Sequence, residues 1–405
     1  MNIGKHVIYD YDYENRQASN VQIWLAIPPA TTAQKPVKIE FSKPPLEQSE
    51  LYGQQLAYFD LAPGERIGLQ MELELISADL KDFLRDPVKL GEDERAFYLR
   101  SGIMSPVNSE LRYEAQQIVG DAKAELEKAE RLFHYFHKTF QYKYPPKDRG
   151  ALYFREAGQG DCGEFSFLYT SYMRSLGIPC RTVVGSFVKK FGAHVWNEIW
   201  LDKSGWLPVD TSMPALLKKP LSQLLIPVQM GTATKKAAYF GNFDGKRIIF
   251  SLDADWPLTP PYQDMIREEQ KELFVFGREI EFGYQSLDGT APYMQPIYPH
   301  FYDEMKPAKV EDLLGMWNIY ERDPTLKSLG LIKKTAFIVF VIMMFISAIN
   351  AFANLEFISR LPVIAIGYGA AFIGLVAIIL RREANWLIYL LTVVVLVIGI
   401  QLVLN

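Results

Sequence analysis

Three apolar stretches near the C-terminal end, Thr335–Ala353, Leu361–Leu380 and Trp386–Leu404, constrain this chain more than anything else in it. Each approaches the roughly twenty residues that a helix needs to cross the hydrocarbon of a bilayer. Buried helices of soluble proteins rarely present such runs three times in succession, so the reading is three transmembrane helices over 331–405. No charged residue lies inside any of them, which argues against a transport or proton-relay role and for an anchor or an interaction bundle that meets a membrane-protein partner. Trp386 and Tyr389 stand at an interface position, and Ala370-x-x-x-Gly374 offers close helix packing.

The flanking charges set an orientation. Lys333 and Lys334 precede the first stretch and Arg381 and Arg382 lie between the second and third, while Glu356 and Arg360 nearly cancel in the remaining loop. Lys and Arg favour the cytoplasm. Met1 to His6 begins no apolar run, so no signal peptide is expected. The expectation is an integral protein of the plasma or inner membrane, with its soluble part in the cytoplasm and Asn405 outside. Leu313, Leu314, Met316 and Trp317, within Val310–Tyr320, are expected to lie along the membrane surface.

Ahead of the membrane region the chain changes character twice. Val21–Ile27, Gln55–Asp60 and Ile67–Ile76 alternate, and Leu61-Ala-Pro-Gly-Glu65 supplies turn chemistry between the last two. The expectation is an all-β sandwich over 1–85. An irregular, charged linker is expected over 86–105. Asn108–Val119 and Ala122–Phe140 then read as helices, the second with Leu126, Ala129, Leu132, Phe133 and Phe136 on one side. His134 and His137 are three apart there, but no third ligand stands at a convincing spacing, so neither a metal nor a cofactor is expected. After Asp210, Lys246–Ser251 is expected as a late strand of the same sheet and Leu273–Phe276 as a possible further strand; 266–330 reads as surface elaboration and a juxtamembrane segment.

Chemistry concentrates between Gly160 and Ser212. Phe165, Leu168, Tyr169, Tyr172, Met173 and Leu176 recur at helical spacing, so Gly163–Leu176 is read as a helix that Gly177 ends. Cys162 falls at its N-terminus, where unpaired N–H groups and the helix dipole favour a thiolate. The Cys162 amide is a natural oxyanion donor, with Gln159 or Tyr144 as candidate side-chain partners. His194 opens an alternating strand and Asp210 closes the next. An even-numbered loop would set Asp210 opposite Asn197, on the wrong face. A three-residue loop with Gly205 at a bulge makes Asp210 a diagonal neighbour of His194, so an odd loop is required. Asp210 could otherwise simply cap the turn before Thr211 and Ser212. Arg181 reads as a structural ion-pair partner and Trp196 as packing or a cleft wall.

Composition closes off other classes. With 43 Lys+Arg against 47 Asp+Glu, a net charge of −4 and no basic run, nucleic acid is not an expected partner. Cys162 and Cys180 are the two cysteines. The intervening helix holds them about 21 Å apart, beyond the ~7 Å a disulfide tolerates.

Gly160-Asp-Cys-Gly163, Met173-Arg-Ser-Leu-Gly-Ile-Pro-Cys-Arg-Thr-Val-Val-Gly185, His194-Val-Trp-Asn-Glu198 and Gly205-Trp-Leu-Pro-Val-Asp210 together resemble the core of the transglutaminase-like superfamily. The resemblance implies a papain-like α+β catalytic domain over 106–265, with Cys162 as nucleophile, His194 as base and Asp210 as orienter. It also implies amide chemistry on a peptide or protein substrate through a thioester. Hydrolysis is favoured over cross-linking because the single core lacks the extra β-domains of cross-linking enzymes. Acyl transfer to an amine, or a non-catalytic peptide-binding membrane scaffold, are the alternatives.

Overall fold

The computed structural model describes residues 2–83, 89–188, 193–218, 220, 222–223, 226, 235–261, 271–275, 278–282, 290–291, 296–301, 311–353, 360–381 and 386–404. Period-two patterning builds the N-terminal region. Val7, Tyr9, Tyr11 and Tyr13 on strand Asn2–Glu14 and Ile67, Leu69, Met71, Leu73 and Leu75 on strand Arg66–Ala78 are all buried. The two strands pair antiparallel from Asn2↔Ser77 to Glu14↔Arg66, which puts both sets on one face. Gln34–Phe41 and Phe243–Asp244 extend this sheet along one edge, and Met316–Glu321 along the other. A second sheet runs Ile297–Phe301, Val21–Ile27, Gln54–Leu61, Glu47–Leu51. Ile23, Phe59, Tyr9 and Met71 share one core between the sheets.

The sandwich therefore does not come from residues 1–85 alone. Ile297–Phe301 pairs along Val21–Ile27, so part of the segment read as surface elaboration is a buried strand. Met316–Glu321 likewise replaces the membrane-surface segment expected there, because Trp317 is buried edge-on against Phe250. Alternation in so short a strand is overridden by where tertiary contacts need it. The expected further strand forms as Lys271–Val275, paired with Arg278–Phe282. Phe276, Val310, Glu356 and Arg382 lie outside the described residues.

The linker reading also fails in part. Glu92–Phe97 is a helix, and the Tyr98 that follows is fully buried edge-on against Trp206. Two aromatic residues in a row, Phe97 and Tyr98, bury enough apolar surface to outweigh the charged residues around them.

The α+β core packs Cys162–Ser175, buried from Gly163 to Ser175, against a four-stranded antiparallel sheet. Its order is Gly205–Val209, Ala193–Leu201, Cys180–Phe187, Arg247–Leu252. Helices Ser109–Val119, Glu125–Thr139 and Ala151–Ala157 pack beside that central helix. Asn108 caps the first of these, accepting from Leu111 N–H at 2.8 Å.

Two fully buried glutamines stitch the sandwich to the core. Gln34 donates to Ile249 O (3.0 Å) and accepts from Ile249 N–H (2.7 Å), and Gln54 accepts from Leu252 N–H (2.9 Å). The outer edge of strand Arg247–Leu252, which would otherwise expose unpaired amides, is thereby satisfied by side chains. On the other face of the second sheet, Trp24, Ala26, Leu56 and Tyr58 belong to the core of the Cys162 helix.

Residues Tyr320–Asn405 form a separate compact unit. It contains helices Pro324–Ala353, Arg360–Leu380 and Trp386–Leu404. Among the described residues, two stretches, Pro324–Ile349 and Pro362–Leu380, are long and apolar enough to cross a membrane. The first two helices touch closely, since a Cβ at Gly374 would stand 3.3 Å from the Ala336 methyl. Arg381 pairs with Glu321 at 2.7 Å and also bonds Leu326 O, which joins the start of one helix to the end of the next.

Candidate active site

The hairpin that presents the histidine and the aspartate has the odd connection its chemistry demands. Leu201 pairs with Gly205 and Asn197 with Val209, leaving Asp202, Lys203 and Ser204 as a three-residue loop. Gly205 has φ +70°, a conformation that glycine adopts without the steric penalty a Cβ brings. This register sets Asp210 alongside Trp196, one pleat from His194 and on the same face. His194 Nε2–H then donates to Asp210 Oδ2 at 2.8 Å, with both residues buried.

Asp210 uses its two oxygens differently. Oδ1 accepts from Ser212 N–H (3.2 Å), Ser212 Oγ–H (2.9 Å) and Met213 N–H (3.1 Å), which is the turn-capping task. Oδ2 faces His194 and also accepts from Arg247 Nη1 at 2.7 Å. Capping and orienting, posed as alternatives by the sequence, coexist on one carboxylate. Burial works to raise the Asp210 carboxyl, but the charge and hydrogen bond of His194, with Arg247, outweigh it and hold it well below the usual carboxylate range. The imidazole lies between the rings of Phe187 (4.8 Å) and Trp196 (6.0 Å). Trp196 in turn rests on Gly185, where a Cβ would come within 2.7 Å of the indole and 1.9 Å of Ile248 O. With Nε2 on the carboxylate, Nδ1 is the nitrogen left to act as a base.

Cys162 is the first residue of its helix and is half-buried. The Val195 amide, next to His194 on the strand, and the Tyr142 hydroxyl both interact with the thiol. Tyr142 is fixed by a parallel bridge to Gly160 and by its ring against Phe165. Asp161 and Glu164 close a capping box around the helix start, and Arg149 Nη1 contacts both, at 3.0 and 3.2 Å. Burial works against the Asp161 carboxylate, but Arg149 and the Gly163 amide hold it low. Glu164 is pushed well up by burial and by the Asp161 charge.

These surroundings correct one expectation. Burial, and then the Asp161 charge, push the Cys162 thiol up, while the Val195 amide pulls it the other way. The helix N-terminus does not prevail, because its own cap is a carboxylate next to the sulfur.

Of the side-chain oxyanion candidates, Gln159 pairs with Gln141 in the short parallel bridge and Tyr144 is exposed. Sequence reasoning missed Tyr142, Arg149 and Arg247. The spacing Asp161-x-x-Glu164 is itself a capping-box signal, and the acidic pair implies a cation such as Arg149. Arg247 carries no such local mark. Arg181 is the structural ion-pair partner anticipated, bonded to Glu198 at 2.8 Å and lying over Trp206. His137 is buried with Nδ1 3.0 Å from Phe133 O, and no group of three or more metal-ligating side chains occurs among the described residues.

Residues 112–211 match the sequence profile of the transglutaminase-like superfamily. The chain carries a transglutaminase-like domain. Solved structures similar to it include a candidate cysteine protease from Cytophaga hutchinsonii, at 15% identity over 53% of this chain and 78% of that one, with a TM-score of 0.43. Another is the periplasmic domain of TgpA from Pseudomonas aeruginosa, at 16% identity over 50% and 73%, with a TM-score of 0.32. No curated protein matches the chain. Cys162, His194 and Asp210 fall inside the matched residues, while Ser212, Met213 and Arg247, which hold Asp210, lie beyond them.

Proposed function

We propose that the chain is a membrane-anchored cysteine enzyme that cleaves peptide or side-chain amides through Cys162, His194 and Asp210. The observation that carries the reading is the His194–Asp210 hydrogen bond at 2.8 Å on a strand that packs against the Cys162 helix. A nucleophile, a base and an orienting carboxylate in that order are the recurring arrangement for acyl transfer.

His194 takes the thiol proton as the sulfur attacks the amide carbon. The Cys162 N–H, at the first position of the helix and so without an intrahelical acceptor, holds the oxyanion. The C–N bond breaks, the amine leaves with the proton from His194, and a thioester remains. Water then gives its proton to His194 and attacks the thioester; the C–S bond breaks and the sulfur recovers its proton. Asp210 holds the imidazole tautomer throughout.

The three C-terminal helices anchor the domain, with the catalytic part in the cytoplasm and Asn405 outside. Lys333 and Lys334 on the first helix and Arg381 after the second support that orientation. A cysteine-accessibility map of the chain in membranes tests it: labelling of a cysteine at position 405 from the outside is expected, and labelling only after permeabilisation overturns it.

The reaction is tested with the full chain in nanodiscs, incubated with a casein digest with and without hydroxylamine and read by mass spectrometry. New peptide acids, converted to hydroxamates by hydroxylamine and lost in Cys162→Ala, are expected. Products joined to lysine instead would make it a transferase. No product, with cellular function kept by Cys162→Ala, would leave only the scaffold reading.

A further inference from the structure

Arg247 enters the site from the outer strand of the catalytic sheet, and every part of it is held. Nη1 lies 2.7 Å from Asp210 Oδ2, and Nε lies 3.7 Å from Asp244. The guanidinium stands over Phe187 (5.0 Å), Trp196 (5.5 Å) and Tyr239 (5.7 Å). Phe187 and Trp196 are the same rings that flank the imidazole. Imidazole and guanidinium thus share one aromatic box and one carboxylate oxygen, while Oδ1 is fully engaged by Ser212 and Met213. The carboxylate cannot swing towards one partner without breaking three bonds behind it. The buried Gln34 and Gln54 fix the strand that carries Arg247.

We propose that Arg247 is a positioning residue of the site: by sharing Asp210 Oδ2 with His194 it locks the carboxylate and withholds part of its charge from the imidazole. The inference rests on the triad reading above. A lone buried carboxylate would favour imidazolium and, with it, a thiolate–imidazolium pair. A guanidinium on the same oxygen opposes that by like-charge repulsion. Other charged or titratable groups around the imidazole and its carboxylate are Cys162, Asp161 and Glu164 from the helix, Tyr142 from the bridge strand, and Asp244 and Tyr239 beside Arg247. Arg149 offsets the acidic pair on the helix side, so Arg247 is the cation that acts on Asp210 directly.

The test uses the full chain in nanodiscs with ¹³C-labelled histidine. The background is Cys162→Ala, and His194 is assigned among the five histidines with His194→Asn. Arg247→Gln is expected to raise the His194 titration midpoint by about one pH unit, and Arg247→Lys, which keeps the charge, to leave it within a few tenths. A midpoint unmoved by Arg247→Gln, in a variant that melts earlier, would make Arg247 a brace and nothing more. Should that variant fail to fold, Arg247→Met, which keeps packing against the rings without the charge, is read the same way: a raised midpoint is expected and an unmoved one overturns the proposal. The titration needs no substrate. A shifted midpoint in a protein that turns nothing over would keep the Arg247 inference and remove the enzyme reading; an unmoved midpoint in an active enzyme would do the reverse.

Discussion

Asp210 and Asp253 are both buried aspartates held by arginine, yet they serve the molecule differently. Asp253 is clamped by Arg174 on both oxygens (2.8 and 2.7 Å), by Arg100 at 2.7 Å and by Thr182 N–H at 3.2 Å. Its cations cannot change charge at any physiological pH, so the cluster is a fixed joint between the Cys162 helix, the central strand and the segment before Ser101. Asp210 replaces one arginine with His194, whose charge can change. The same ionic construction becomes a candidate for proton transfer once one of its cations is titratable.

Exchanging the two aspartates' losses is the sharpest way to break that comparison. Asp210→Asn is expected to keep the fold, since Arg247 retains Asp244 and His194 can be neutral, while turnover of the casein peptides drops about 10³–10⁴-fold. Asp253→Ala leaves Arg174 buried without its carboxylate and is expected to lose about 3–5 kcal/mol of stability, read as failure to fold or a collapsed thermal transition. Equal stability in the two variants would erase the distinction.

A third aspartate sharpens it. Asp255 is buried with its carboxyl raised to about 6, first by burial and then by the charge of Asp253; one oxygen accepts from Met104 N–H at 3.3 Å and the other has no partner. Because the folded value lies above the unfolded one, the folded state binds the extra proton between about pH 4 and 6. Stability is therefore fullest below that window and falls as pH rises through about 6. Asp255→Asn is expected to gain on the order of 1–3 kcal/mol at pH 8 and nothing at pH 4, by thermal unfolding at the two pH values. A gain of the same size at both would show that packing, not charge, is responsible. The smallest effect belongs to the hairpin: Gly205→Ala forces a Cβ into φ +70° and is expected to cost about 1 kcal/mol without moving the register.

What the sequence revealed divides along local and distant lines. The Cys162 helix, the alternation of the His194 strand and the odd loop before Gly205 are local patterns, and they were enough to bring His194 and Asp210 to one face. Distant partners left no such trace. Arg247 reaches Asp210 across 37 positions, and its strand looks like any other until the sheet order is known. Strands Ile297–Phe301 and Met316–Glu321 join a sandwich begun nearly three hundred residues earlier, so their composition alone reads as surface. The thiol's environment was misjudged for a related reason. The helix dipole is a property of the helix, but its opposition comes from burial and from Asp161, which only the packed structure weighs.

The central claim is that Cys162 is a nucleophile served by His194. The most direct measurement is iodoacetamide alkylation of the full chain in nanodiscs from pH 5 to 9, with mass spectrometry following Cys162 and, as an internal standard, the buried Cys180. The account predicts that Cys162 is modified at least tenfold faster than Cys180, and that His194→Ala removes most of that advantage. Cys162 reacting no faster than Cys180, or equally fast without His194, would contradict it.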